Sequence, residues 1–332
     1  MRRRDFTTAL AGMAAGWPCA AGAQRAKRSV PVVGSISLGI ASDAISRRNS
    51  EAFQRGLREN GYVVGEDIEV ENRYYGNDPE KLRAVVGELV QRNVDTILAS
   101  STEAGLAAKR ATNTIPIVCI MADPVADGLI ASLARPGGNV TGATFIGPML
   151  GPKRFQLLKE MVPAATRFAA LQHPKVYSER TMQSMVSELD EQAARLGVAL
   201  RIFSASRPDD FDAAFAAIAE WRADALMTFP SPMLYVNYKR LVGLAGSHRL
   251  PVMYVHREAV DDGGLMFYGA DLPVLWQLAA KYVAKILQGA KPGDLPVEQP
   301  TNFELVISLK TAKTLGLAVP PSLLSRADEV IE

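Results

Sequence analysis

Residues 96–121, TILASSTEAGLAAKRATNTIPIVCIM, contain one complete unit of the fold. Thr96–Ala99 is a short buried-type run, and three hydroxyl residues, Ser100-Ser101-Thr102, follow it. The apolar spacing then predicts a helix over Glu103–Thr112, and Ile117–Met121 is apolar without interruption. Strands that read as continuous apolar runs are buried on both faces, and a helix between two of them joins them in parallel. This predicts an α/β sheet covered by helices on both sides.

The same alternation extends in both directions. Upstream, strand Val30–Ser37 precedes an amphipathic helix Ala44–Asn60 stopped by Gly61. Strand Asp67–Tyr75 and helix Pro79–Arg92 follow, with Asp78 as cap and proline in the first turn. Strand Val140–Phe145 closes this first series. The second runs through helix Pro152–Met161, strand Phe168–Gln172, helix Ser178–Leu196, strand Ala199–Phe203 and helix Pro208–Glu220. Strand Ala225–Phe229, helix Leu234–His248 and strand Val252–Val255 continue it. The chain then has material left over: strand Gly264–Tyr268, helix Leu272–Leu287, a Gly/Pro-rich connector, strand Phe303–Ile307 and helix Leu309–Leu315. Two series of similar size in 332 residues predict two lobes. Residues 30–147 plus about 272–308 are expected in lobe one and 148–271 in lobe two, with packing of the tail on lobe two or between the lobes as the alternative. Residues 309–332 form a terminal helix and tail. Shared crossings of this kind suit closure on a ligand.

The N-terminus predicts export. Arg2, Arg3 and Arg4 precede a short apolar run, and Ala21-Gly22-Ala23 supplies an A-x-A ending, with cleavage expected after Ala23. Arg3-Arg4-Asp5-Phe6 looks like the core of a twin-arginine signal. Trp17-Pro18 is a poor lipobox, which argues against Cys19 as a lipid acceptor. Loss of residues 1–23 removes three arginines and one aspartate, so the formal charge of +2 falls to zero. A neutral chain without a long basic run argues against nucleic-acid binding. Cys119 is then the lone thiol, in an apolar segment that suits core.

Enzyme motifs are absent from the sequence. His173, His248 and His256 are not at metal-ligand spacing, and no phosphate loop or dinucleotide fingerprint occurs. No cofactor is expected. Ligands in open α/β sheets bind beyond the carboxyl ends of strands. Those positions carry Ser37 and Gly39, then Ser100, Ser101 and Thr102, then Asp123. In the second series they carry Gln172 and His173, Ser231, Tyr254 and His256, with Tyr268 at the end of a later strand. Ser100–Thr102 opens a helix and suits either a ligand carboxylate or an ordinary N-cap. Asp123 suits a ligand ammonium or a fixed turn at Pro124. Tyr254 and Tyr268 suit stacking or core. Trp221 and Trp276 read as packing residues.

Several stretches together carry a resemblance. They are Ala52–Tyr62, Ile115–Val118, Asp123–Val125, Arg135–Gly142, Gly264–Gly269 and Phe303–Lys313. Nearly the whole mature chain resembles the tryptophan/tyrosine-type ABC transporter substrate-binding proteins, a branch of the periplasmic binding proteins. The resemblance implies two Rossmann-like lobes in the type I periplasmic binding protein fold. It also implies a small organic solute as ligand, such as an amino acid, an aromatic or a related carboxylate, and an inner-membrane ABC permease as partner. A periplasmic, monomeric receptor without turnover is the expectation. A secreted hydrolase using His173 or His256 beside a serine is the alternative, and a ligand sensor for a membrane receptor is another. One departure stands out. The family's Asn-Pro after the first strand of lobe two is replaced by Gln172-His173-Pro174-Lys175, which suggests a different cargo.

Overall fold

The computed structural model describes residues 30–332 except 43, 77, 146, 147, 175 and 178. The expected export signal lies outside the described residues.

Lobe one is built from β1 (Val32–Ser37), α1 (Ala44–Glu59), β2 (Glu69–Tyr74), α2 (Pro79–Gln91), β3 (Thr96–Ala99), α3 (Thr102–Ala111), β4 (Ile117–Met121) and β5 (Val140–Thr144). Its five strands are all parallel, in the order β2-β1-β3-β4-β5. Side chains of β4 alternate between two apolar clusters. Ile117, Cys119 and Met121 join one, and Val118 and Ile120 join the other. Both faces are therefore dry, as the uninterrupted apolar run requires. Helix starts follow local chemistry. Asp78 accepts from the amides of Glu80 (2.8 Å) and Lys81 (3.2 Å), and Ser101 accepts from Ala104 (3.1 Å).

Lobe two contains α4 (Gly151–Met161), β6 (Arg167–Gln172), α5 (Glu179–Leu196), β7 (Ala199–Ser204), α6 (Phe211–Glu220), β8 (Ala225–Thr228), α7 (Pro232–Val236), α8 (Tyr238–Ser247), β9 (Val252–Tyr254), α9 (Glu258–Asp261) and β10 (Met266–Gly269). The expected single helix over Leu234–His248 is two helices. The chain bends at Asn237 (φ −107°, ψ 15°), whose amide donates to the Met233 carbonyl at 2.8 Å. The first of the two starts earlier, with Ser231 as cap and Pro232 in its first turn.

After β10 the chain crosses to lobe one. Helix α10 (Leu272–Leu287) covers the face of the first sheet that α1 also covers, burying Leu275, Ala279, Ala280 and Val283 among Val33, Phe53 and Leu98. The connector runs along β5, where Thr144 N–H donates to Glu298 O (3.0 Å) and Glu298 N–H to Gly142 O (3.2 Å). The next strand corrects the sequence reading. Phe303–Ile307 was expected in lobe one, but β11 (Glu304–Ser308) pairs antiparallel with β10 in the second sheet. Leu305 and Ile307 complete the core of lobe two, which outweighs the simpler return to lobe one. The tail is not loose either. α11 (Leu309–Thr314), α12 (Pro321–Leu324) and β12 (Glu329–Ile331) follow, and β12 pairs with β11 as the sheet edge. The second sheet thus has seven strands, ordered β12-β11-β10-β9-β8-β6-β7. Three chain crossings join the lobes: β5 to α4, β10 to α10, and residues 298–304. Among the described residues, no helix is long and apolar enough to cross a membrane.

The contact between α1 and α10 depends on Gly56. A methyl there would lie 2.7 Å from Gln277 O and 2.8 Å from Ala280 Cβ, so the two backbones approach where no side chain fits. Gly56→Leu is expected to destabilise the protein by about 1–3 kcal/mol through overpacking. Calorimetry should record a lower Tm with the far-UV spectrum retained.

Candidate functional site

Strand ends from both lobes enclose a cavity of about 120 Å³. That is well above the roughly 10–15 Å³ needed to admit one water, and it gives room for several waters or one small organic solute. Lobe one supplies Ser37 to Gly39 after β1, Ser100 to Glu103 at the start of α3, and Asn49 from α1. Trp276 from α10 and Phe145 after β5 form apolar wall. Lobe two contributes Tyr177, Ser231, Tyr235 and His256.

Four polar atoms facing this space are buried without a hydrogen-bond partner: Asn49 Oδ1, Ser100 Oγ, and both ring nitrogens of His256. Buried polar groups are nearly always paired, so a cluster of orphans around one cavity marks a place for something else to bind. Burial, reinforced by the positive charge of Arg154, pushes His256 down to about 3, so its ring is neutral. The ring lies 3.9 Å from that of Tyr235, tilted by 33°. Arg154 is itself buried (2% exposed), and burial lowers it to about 10. Its Nε donates to Tyr268 O at 2.7 Å.

A polar chain crosses between the lobes beside this cluster. Tyr235 donates to Glu258 Oε1 at 3.2 Å, and the Asn49 side chain is hydrogen-bonded to Tyr235. Arg48 Nη1 donates to the same Glu258 oxygen at 3.4 Å. Burial raises the Glu258 carboxyl, and Arg48 is the nearby charge that opposes this shift.

Ser37, Gly39, Ser100, Ser101, Thr102, Ser231 and His256, read from sequence as ligand contacts, all line the cavity. Their roles differ. Ser101 caps α3 and bonds Tyr75 Oη at 3.0 Å, and Thr102 Oγ1 accepts from Ala122 N–H at 3.0 Å. Only Ser100 of the three keeps an unpartnered hydroxyl.

Five other expected residues lie outside the lining of this cavity. Asp123 is not among the cavity's lining residues, and its Oδ1 accepts from Ala126 N–H at 3.0 Å, fixing the local turn. Tyr254 points into the helix-covered core of lobe two at 3% exposure, since strand alternation sends it away from the cleft. The Tyr268 ring packs beside Phe303, centroids 6.1 Å apart. Gln172 donates to Ser204 Oγ at 3.1 Å and faces a separate hollow along α5. His173 stands behind Ser231, its Nδ1 3.4 Å from Ser231 Oγ. That separation is long for a nucleophile–base pair, and the same hydroxyl caps α7 by accepting from Leu234 N–H. Among the described residues, no group of three His, Cys, Asp or Glu is placed to hold a metal ion.

Asn49, Phe145, Tyr177, Tyr235 and Trp276 were missed by the sequence reading. Trp276 was taken as packing; it does pack edge-on against Phe53 at 6.4 Å, yet it also walls the cavity. Asn49 left a readable signal. It sits three and four residues before Ala52 and Phe53, so an amide occupies the buried face of an amphipathic helix.

The neutral buried His256 makes stability pH-dependent. Its folded value of about 3 lies below the unfolded 6.5, so the unfolded chain binds the extra proton between them. This contribution is complete above the unfolded value and is lost as pH falls toward 3, by up to about 1.4 kcal/mol per pH unit. In denaturant titrations from pH 7 to 4, His256→Phe is expected to flatten that slope relative to the parent. An unchanged slope would show that His256 is not the group responsible.

The model of the ABC transporter substrate binding protein family matches residues 35–331. A tyrosine-binding protein of Clostridioides difficile is 27% identical over 269 residues, covering 80% of this chain and 76% of that protein. The crystal structure of a Streptococcus pneumoniae domain in complex with L-Trp superimposes with a TM-score of 0.83 at 25% identity, covering 91% of this chain and 100% of that one. A ligand-free, open substrate-binding protein from Clostridium difficile superimposes with a TM-score of 0.65 at 24% identity, covering 91% and 99%. Two α/β lobes, whose sheets are parallel apart from the antiparallel strand β11, agree with this likeness in the type I periplasmic binding protein arrangement. With nearly every described residue inside the match, the chain belongs to the ABC transporter substrate-binding protein family.

Proposed function

We propose that this protein is a periplasmic solute receptor that closes its lobes around one small organic molecule and delivers it to an inner-membrane ABC permease. The observation that carries this reading is the cluster of unpartnered polar atoms on Asn49, Ser100 and His256 inside an interlobe cavity. A solute supplies the missing hydrogen bonds, and Trp276, Phe145 and Tyr235 supply apolar contact area. The cargo is an aromatic amino acid or a related aromatic carboxylate. The similar proteins named above bind tyrosine and L-Trp, and the cavity here offers comparable chemistry. The N-terminus of α3, opening onto the cavity at Ser100–Glu103, suits the carboxylate.

Closure is the mechanism of capture. Cavity walls drawn from both lobes, with Arg48 bonded to Glu258 and Asn49 to Tyr235 across them, support a closed arrangement. Affinity then comes from contacts on both lobes, and release to the permease requires the lobes to part. The receptor acts as a monomer and turns nothing over. Its export follows from the arginine-rich N-terminus.

Isothermal titration of the purified protein with L-tryptophan, L-tyrosine and a panel of aromatic carboxylates is expected to find one saturable site per chain. Trp276→Ala should weaken that binding about tenfold or more, a loss of roughly 1.4 kcal/mol. Binding at several weak sites, or steady conversion of the solute to product, would overturn the reading.

A further inference from the structure

The solute-receptor reading leaves open which part of the cargo meets Asn49 and His256, and the surrounding charges address that question. Asn49 is 7% exposed on α1. Its side chain is hydrogen-bonded to Tyr235, which in turn donates to Glu258. One end of the amide is thereby anchored, and Oδ1 is left buried, unpartnered and on the cavity wall. A carbonyl oxygen accepts and never donates, so whatever completes it must bring an N–H or O–H.

The local charge favours a neutral donor. Arg154 acts electrostatically on His256, whose ring stacks on Tyr235. Arg48 lies on the other side, bonded to Glu258. Arg48 also pairs with Asp271 at 3.8 Å, so two guanidinium groups meet two carboxylates at this corner, and His256 is neutral. With these charges balanced, an ammonium would have only a neutral buried amide as its acceptor at Oδ1, at a high desolvation cost. A ring N–H or phenolic O–H carries no such cost.

We infer that Asn49, anchored through Tyr235, is a specificity-determining residue that reads a neutral N–H or O–H on the aromatic ring of the cargo, with the ring's polar edge against His256. The anchor comes from lobe two while Asn49 belongs to lobe one. The acceptor is therefore oriented only when the lobes meet, which couples recognition of the ring donor to closure. A cargo ring without a donor leaves Oδ1 buried and unpaired, and sites built to bind such a group reject the analogue lacking it.

L-phenylalanine is the natural probe, since it has the size of tyrosine but no ring donor. In titration calorimetry on the full protein, L-tryptophan or L-tyrosine should bind on the order of tenfold or more tighter than L-phenylalanine. Asn49→Leu should collapse that preference to about twofold or less, and Tyr235→Phe, which keeps Asn49 but removes its anchor, should reduce it partway. A wild-type protein that binds L-phenylalanine equally well overturns the inference. So does a folded Asn49→Leu protein that keeps the preference. If Asn49→Leu does not fold, an unchanged preference in Tyr235→Phe overturns it. Binding of some other solute, but none of these three, overturns this inference and leaves the receptor reading standing. Absence of any saturable solute overturns both.

Discussion

Tyr235 is the point at which the two lobes become one site. It projects from a five-residue helix of lobe two, stacks on His256, and hydrogen-bonds to Glu258 in its own lobe and Asn49 in the other. Arg48 closes the chain from lobe one. A carboxylate buried as deeply as Glu258 is costly to desolvate unless paired, so the partner from the opposite lobe matters energetically. Apolar contacts run in parallel. Ile45 of lobe one packs on the core of lobe two, and Val236 of lobe two packs on the core of lobe one. Together these contacts enclose the cavity, and without them its walls belong to two separate surfaces.

The helix break at Asn237 explains how Tyr235 and Val236 reach that position. A continuous helix from residue 234 to 248 would carry both along one axis with the buried face of α8. Ending the first helix after Val236 lets Pro232–Val236 tilt independently, with Ser231 capping it at the cavity rim. The backbone bend, the cap and the interlobe contact are therefore one arrangement. α10 has the complementary role in lobe one, where the same helix that completes the core presents Trp276 to the cavity.

The alternation of strands and helices was legible because parallel strands buried on both faces leave continuous apolar runs. Thr96–Ala99, Ile117–Met121 and Leu272–Leu287 were read to the residue. That strand-end hydroxyls such as Ser100 and Ser231 line the cavity was legible for a related reason, since helix starts and the ends of strands share the same chemistry. What was not legible depends on contacts distant in sequence. Nothing local in Phe303–Ile307 says that Leu305 and Ile307 fill the core of lobe two, or that the strand runs antiparallel to β10. Tyr254 failed for a geometric reason. A strand end offers two side-chain directions, and the side that faces the cleft is set by the sheet around it. Asp123 takes the turn role that its sequence also suits, and Gln172 bonds a neighbouring strand, because a polar residue after a strand serves a turn or a neighbour as readily as a ligand.

In the proposed function a solute bridges the two lobes and holds them closed over Asn49, Ser100 and His256. Small-angle X-ray scattering on protein stripped of bound solute, and again after adding the solute back, tests it most directly. The account predicts a larger radius of gyration for the stripped protein and a return to the compact value on addition. An identical radius in both states would contradict it, because the cavity would then be a fixed feature of the fold that closure does not create.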